Sequence, residues 1–224
     1  MICVPIIAKD TYGAVEKIAR ANMQADMIEV RLDMMESFDL EEILHAAERP
    51  VIVTYRSKKE GGKGWASYET QARYLLDAMA MGADFVDVEY SMPPEYRGKL
   101  FKANSSSNLI ISKHLLNGTP SREKLEENFT NLAATGADII KIVTRARNAE
   151  DNLRVLELIP FAWNLGVKIV TFCMGATGRL SRIVSPLLGG YLTFASLEQG
   201  EDSADGQMPV AEMRKMMETL TAWL

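Results

Sequence analysis

Histidine and cysteine are scarce in this chain, with two of each in 224 residues. Cys3 and Cys173 stand far apart, and no His/Cys/Asp/Glu spacing has the zinc pattern, so no metal site is expected. Both cysteines fall in strand-like runs, which predicts buried thiols and a reducing, cytoplasmic setting. No apolar run is long enough for a transmembrane helix. The opening MICVPIIAKD has no basic region before its apolar stretch, which suits a first strand better than a secretory signal. Positive charge is not in excess either. A net charge of −5 speaks against nucleic acid or an anionic membrane as partner. No G-x-G-x-x-G follows the first strand, and Gly61-Gly62-Lys63 lacks the earlier glycine of a Walker A loop. With no G-x-S-x-G elbow, a Ser-His-Asp hydrolase has no support.

What the chain does have is a regular alternation of strand-like and helix-like segments. The strand-like runs are 2–8, 26–33, 50–56, 83–90, 108–114, 138–145, 167–175 and 191–197. Helical spacing follows each, at 13–24, 39–47, 68–81, 93–103, from Thr119-Pro120-Ser121 to about 134, 149–162, 178–186 and 209–223. Gly82-Ala83-Asp84, Gly136-Ala137-Asp138 and Gly166-Val167-Lys168 introduce three of the strands, each glycine suiting a helix exit. Eight β–α units fit a (β/α)8 TIM barrel, with a doubly wound sheet as the runner-up. No linker or low-complexity stretch divides the chain, so residues 1–224 are expected to form one domain.

Alternation within the strands separates two faces. In the sixth strand Ile140 and Ile142 point one way, and Ile139, Lys141 and Val143 the other. The same reading puts Ile28, Val30 and Leu32 against the helices and turns Glu29 and Arg31 to the barrel axis. It also turns Thr54, Arg56, Asp87, Glu89, Ser112 and His114 inward. Polar groups on one face of five successive strands are costly as core, and are more readily retained for function.

The residue types narrow the chemistry. A desolvated lysine crowded by arginines is held towards its neutral amine, which attacks carbonyls to give a Schiff base. His114 can move protons near neutral pH. The other histidine, His45, lies in a helix-like run without polar company and reads as an ordinary helix residue. Glu60, in a loop beyond the third strand, either orients His114 and supports its cationic form or is a solvated loop charge. Arg31, Arg56 and Arg182 suit the carboxylate or hydroxyl groups of a small anion.

Six motifs in order complete the pattern: E-V-R-L-D at 29–33, T-Y-R-S-K-K-E-G-G at 54–62, S-K-H at 112–114, D-I-I-K at 138–141, M-G-A-T-G-R-L-S-R at 174–182, and L-T-F-A-S at 192–196 with S-A-D-G-Q at 203–207. On these, the chain resembles the type I 3-dehydroquinate dehydratases from first strand to last helix. The resemblance implies a (β/α)8 barrel that dehydrates 3-dehydroquinate to 3-dehydroshikimate in the shikimate pathway, without a cofactor. It implies that Lys141 forms the Schiff base, that His114 is the general acid/base and that Glu60 is its carboxylate partner. By the same likeness Arg182 binds the substrate carboxylate, while Glu29, Arg31 and Arg56 contact hydroxyls and shape the site. Ser203 and Gln207 would sit in a loop that closes over the substrate.

One departure stands out: the family commonly has S-A-P-G-Q where this chain has Asp205 in place of proline. A proline limits the open loop's freedom, so its loss bears on closure rather than on chemistry. Two other readings of the residues are a class I aldolase, which lacks support from phosphate-binding glycine loops, and a non-catalytic barrel that senses a small anion. The last helix carries Val210, Met213, Met217 and Leu220 at helical spacing with Trp223 nearby, which suits packing on the barrel. A homodimer is implied by the resemblance alone.

Overall fold

The computed structural model describes residues 1–103 and 105–222. Its strands are β1 (Ile2–Ile6), β2 (Met27–Arg31), β3 (Val51–Thr54), β4 (Phe85–Glu89), β5 (Asn108–Leu115), β6 (Ile139–Arg145), β7 (Lys168–Met174) and β8 (Thr193–Phe194). The helices are α1 (Thr11–Asn22), α2 (Leu40–His45), α3 (Tyr68–Ala80), α4 (Pro94–Phe101), α5 (Arg122–Ala133), α6 (Ala149–Leu156), α7 (Leu158–Asn164), α8 (Arg179–Leu187) and α9 (Val210–Thr221). All strand pairs are parallel, in the order β7-β6-β5-β4-β3-β2-β1-β8. Between β7 and β8 the Tyr191 N–H donates to the Ile169 carbonyl at 2.7 Å, which draws the ring together. Strands paired in sequence order around a ring make a (β/α)8 barrel and set aside the doubly wound alternative.

The two strand faces have separate tasks. Ile28, Val30, Val51, Val53, Val86, Val88, Ile111, Ile140 and Ile142 pack outward with the helices in one large core. Each such side chain contributes roughly 1.5–3 kcal/mol on burial. Inside the barrel a smaller apolar cluster gathers Cys3, Met27, Ile52, Phe85, Ile110, Ile139, Val170 and Phe194. Two residues further along β2 to β6 stand Glu29, Thr54, Asp87, Ser112 and Lys141, all buried. The barrel is therefore plugged by hydrocarbon at one end and turns polar towards the strands' C-terminal ends.

The base of the barrel is fixed by a repeated device. Asp26, Asp84 and Asp138 each precede a strand and accept the first free N–H of its neighbour. Their partners are Ile2 at 2.7 Å, Val51 at 2.8 Å and Leu109 at 2.7 Å. Gly82, Gly136 and Gly166 all take positive φ at helix exits, as their placement predicts.

Four expectations need adjustment. The helix expected over 149–162 is broken at Glu157 into α6 and α7. Pro160 has no N–H for the Leu156 carbonyl, and its ring crowds that oxygen. Leu153 on α6 is exposed, while Leu156 and Ile159 are buried. Pro120 precedes the cap of α5 rather than entering its first turn, and Ser121 accepts the Lys124 N–H. β8 is shorter than 191–197 because Ser196 pairs instead with the segment before α9, through Ser196 N–H to Met208 O and Val210 N–H to Ser196 O, both 2.9 Å. Along α9, Val210 and Met213 are buried and Met217 packs on the core, whereas Leu220 is exposed; Trp223 lies outside the described residues.

Candidate active site

The strand register carries the polar positions into one chamber. β5 and β6 are paired so that Ser112 lies beside Lys141, and β4 and β5 so that Glu89 lies beside Ser112. Lys141, in mid-strand on β6, is buried. Its Nζ contacts Asp87 Oδ2 at 2.8 Å and Glu29 Oε1 at 3.6 Å, and stands 4.4 Å from the Phe194 ring centre. The near partners are thus carboxylates, not the arginines expected from the strand faces. Arg56 and Lys141 share one oxygen, Asp87 Oδ2.

Arg56 shows how the sharing works. Its Nη2 is 2.8 Å from Asp87 Oδ2, while Nη1 donates to Glu89 Oε1 at 3.2 Å and to Ser112 Oγ at 2.9 Å. Burial works against both charges. For Asp87, the guanidinium of Arg56 and the ammonium of Lys141 overcome it and hold the carboxyl far below the usual carboxylate range. For Arg56, burial is likewise outweighed by Asp87, Glu89 and Glu60, which raise its affinity for the proton. Arg31 is taken up by Asp33, with Nε to Oδ1 and Nη2 to Oδ2 both at 2.9 Å. Asp33 also accepts the Arg56 N–H at 3.1 Å and the Lys63 N–H at 3.0 Å, which fixes the loop after β3.

His114 ends the inward row of β5. Its Nδ1 lies 3.1 Å from Glu60 Oε2, and its own backbone N–H donates to the same oxygen at 3.1 Å. Glu60 sits in a 3₁₀ turn, Lys58–Glu60, closed by Gly61 in the left-handed region. Its other oxygen accepts from Ser91 Oγ at 2.7 Å. Burial pushes the Glu60 carboxyl up, and Arg56 beside it opposes that shift. Burial, together with the charges of Arg56 and Lys141, pushes the His114 imidazole well down, so the ring is neutral near neutral pH. With Nδ1 directed at a carboxylate that accepts on every side, the free Nε2 is the proton acceptor.

Arg182, on α8, is the contrasting cation. It is 1 % exposed, yet its hydrogen bond is to a neutral group, the Asp205 carbonyl at 3.2 Å from Nη2. Its Nε has no partner among the described residues, and its guanidinium carbon lies 4.4 Å from the Phe172 ring centre. Burial pushes it down to about 10. An unpaired buried guanidinium is expensive unless an anion arrives to meet it. Opposite it, Ser203 and Gln207 close a small loop on itself, with Ser203 N–H to Gln207 Oε1 at 2.7 Å and Gln207 Nε2 to Ser203 Oγ at 3.0 Å.

Glu29, Arg31, Arg56, His114, Lys141, Arg182, Ser203 and Gln207 line one cavity. Glu60 stands behind His114, outside that lining. A wider, more open cleft lies past His114, between Lys59, Asn117 and Arg147, but Lys141 and Arg182 do not reach it. Asp33 and Ser91 had no place among the residues singled out from the strand faces, while Thr54, Asp87, Glu89 and Ser112 were turned inward without a chemical role. Asp33 closes the E-V-R-L-D motif and Ser112 opens S-K-H, so both lay within stretches already singled out.

Comparison with known proteins gives a consistent picture. A family model described as type I 3-dehydroquinase matches residues 2–222. A 3-dehydroquinate dehydratase of Thermococcus gammatolerans is 38 % identical over 219 residues, covering 97 % of both chains. Its counterpart from Methanosarcina acetivorans is 37 % identical over 212 residues, covering 89 % of this chain and 87 % of that one. Among solved structures, the type I 3-dehydroquinate dehydratase of Clostridium difficile, with covalently modified comenic acid, superposes with a TM-score of 0.87. It is 27 % identical, over 100 % of this chain and 92 % of that one.

Proposed function

The chain belongs to the type I 3-dehydroquinase family, and from that membership we propose how its site carries out the family's reaction. The protein is a 3-dehydroquinate dehydratase, a lyase of the shikimate pathway acting on a small-molecule substrate. Membership of the family favours this reading over the aldolase and anion-sensor readings.

The chemistry begins at Lys141. Its amine, once deprotonated, adds to the C3 ketone of 3-dehydroquinate and loses water to give an iminium, an electron sink that needs no cofactor. The iminium makes the neighbouring C2 proton acidic. Neutral His114 takes that proton on Nε2, and the electron pair moves into an enamine. The enamine expels the C1 hydroxyl, to which the imidazolium of His114 returns the proton, so water leaves. Hydrolysis of the conjugated imine then frees 3-dehydroshikimate and Lys141.

Glu60 keeps the ring of His114 in one orientation and supports the transient imidazolium. Arg182 supplies the missing anion partner: the substrate carboxylate completes its contacts and sets the ring against Lys141. Glu29, Arg31 and Arg56 shape the polar wall that meets the ring hydroxyls. Ser203 and Gln207 cover the substrate and exclude water that would hydrolyse the imine early. The observation that carries this reading is the meeting in one cavity of a buried lysine, a histidine held by Glu60 and a buried arginine that no carboxylate pairs among the described residues.

The direct test is incubation with 3-dehydroquinate, followed by the ultraviolet absorbance of the conjugated product. Appearance of the enone supports the reading; tight binding with no absorbance change contradicts it. The proposal extends to one barrel domain over the whole chain and to a cytoplasmic homodimer. No helix among the described residues is long and apolar enough to cross a membrane. Exposed Leu153, Trp163, Leu165, Leu180 and Leu188 on and around α6 to α8 support association. Sedimentation equilibrium distinguishes dimer from monomer.

A further inference from the structure

The segment over the cavity is closed, and an ion pair helps to close it. Asp205 Oδ2 lies 2.7 Å from Arg145 Nη2, at the end of β6. We infer that Asp205 and Arg145 form a latch that holds the 203–207 segment down over Lys141 and Arg182, which makes Arg145 a positioning residue for the reaction. This rests on the reading above, that the segment covers the substrate.

Asp205 ties the segment to three places at once. Its carboxylate meets Arg145 on β6. Its carbonyl accepts the Gly175 N–H at 3.0 Å, in the turn after β7. The same carbonyl accepts Arg182 Nη2 at 3.2 Å, from α8. The next residue, Gly206, has φ +85°, and a Cβ there would come within 2.3 Å of the Gly175 carbonyl oxygen. Backbone therefore rests directly on backbone, in a conformation that suits glycine. The closed segment also orients Arg182: one nitrogen is held by the Asp205 carbonyl while Nε stays unpartnered for the incoming anion.

An ion pair and a proline would favour closure by different routes. A proline at this position restricts the open segment. Asp205 leaves the open state free and adds a contact that exists only when closed. Because Arg145 and Asp205 are 40 % and 66 % exposed, that contact is screened by salt. Exposed pairs of this kind shift an equilibrium by up to about fivefold. Closure in this chain should therefore depend on ionic strength in a way that requires both residues.

The test is a double-mutant cycle of Arg145→Gln and Asp205→Asn, read by turnover of 3-dehydroquinate at about 0.01 M and about 1 M salt, where the Debye length is roughly 30 Å and 3 Å. At low salt each single variant should raise KM by about two- to fivefold, the double variant should be no worse than either, and kcat should stay within about twofold. The coupling should vanish at high salt. Exchanging the charges, Arg145→Asp with Asp205→Arg, should restore it. Effects that simply multiply, or a KM unchanged in the single variants, would overturn the latch while leaving the family reaction intact. A wild-type protein inactive on 3-dehydroquinate would instead contradict the functional reading. The latch is then decided by amide exchange at residues 203–207 in the same variants: faster exchange in each single variant supports it, and unchanged exchange overturns it.

Discussion

Lys141 and Asp87 face each other across the barrel interior, with Nζ 2.8 Å from Oδ2 and both residues buried. The same oxygen is 2.8 Å from Arg56 Nη2, so one carboxylate serves two cations. Asp87→Asn keeps the shape and leaves both cations short of their partner. Breaking a buried pair in this way costs about 3–5 kcal/mol. The urea midpoint of Asp87→Asn should fall accordingly; a midpoint within error of wild type would show that Asp87 does not hold the network.

For His114→Ala, turnover of 3-dehydroquinate should fall by roughly 10²–10⁴-fold, the usual contribution of general acid–base catalysis. Imine formation at Lys141 should survive, because that bond is made by the amine. Steady-state rates and adduct formation, measured on the same preparation, separate the two effects. Near-wild-type turnover would refute the assigned role.

The pH dependence follows from the burial of His114. Its folded value is pushed well below the ordinary one of about 6.5. The acid limb of kcat/KM should therefore lie below pH ~6.5, since only the neutral ring can accept the C2 proton. Stability should follow the same group. Between the folded and unfolded values the unfolded chain binds a proton that the folded one does not. The contribution is complete above pH ~6.5 and is lost as pH falls from there through the folded value. Denaturant midpoints measured against pH should show that slope in wild type and less of it in His114→Asn. Equal slopes in the two proteins would contradict it.

Arg182 places function against stability. Replacing it with methionine removes a buried charge that lacks a carboxylate in the free protein. Hydrogen bonds to charged groups contribute about 1.5–3 kcal/mol, so KM should rise by roughly tenfold to a hundredfold. The unfolding free energy should not fall, because the free protein gains from losing an unpaired cation. A KM within twofold of wild type would contradict the carboxylate-binding role.

Much of this arrangement is legible in residue order, and the part that is not has a physical reason. Alternation along β2 to β6 separates Ile28, Val30, Ile140 and Ile142 from Glu29, Arg31 and Lys141, because the pleat has a period of two. That pattern says which face a side chain takes. It does not say which cation meets which carboxylate, because that depends on strand stagger and side-chain reach across the ring. Hence Lys141 was expected among arginines and lies against Asp87 and Glu29, while Arg31 is taken up by Asp33. Glu60 reaches His114 only because a 3₁₀ turn and Gly61 fold the loop back, and nothing periodic marks such a turn. The departure at Asp205 is visible as a missing proline; its partner Arg145, some sixty residues away, becomes visible only in the fold.

The central claim is a covalent bond between Lys141 and the substrate, and borohydride reduction tests it most directly. Protein incubated with 3-dehydroquinate and borohydride should gain a stable adduct, located by peptide mass spectrometry on Lys141. An adduct on another residue, or none from protein that turns substrate over, would contradict imine formation at Lys141.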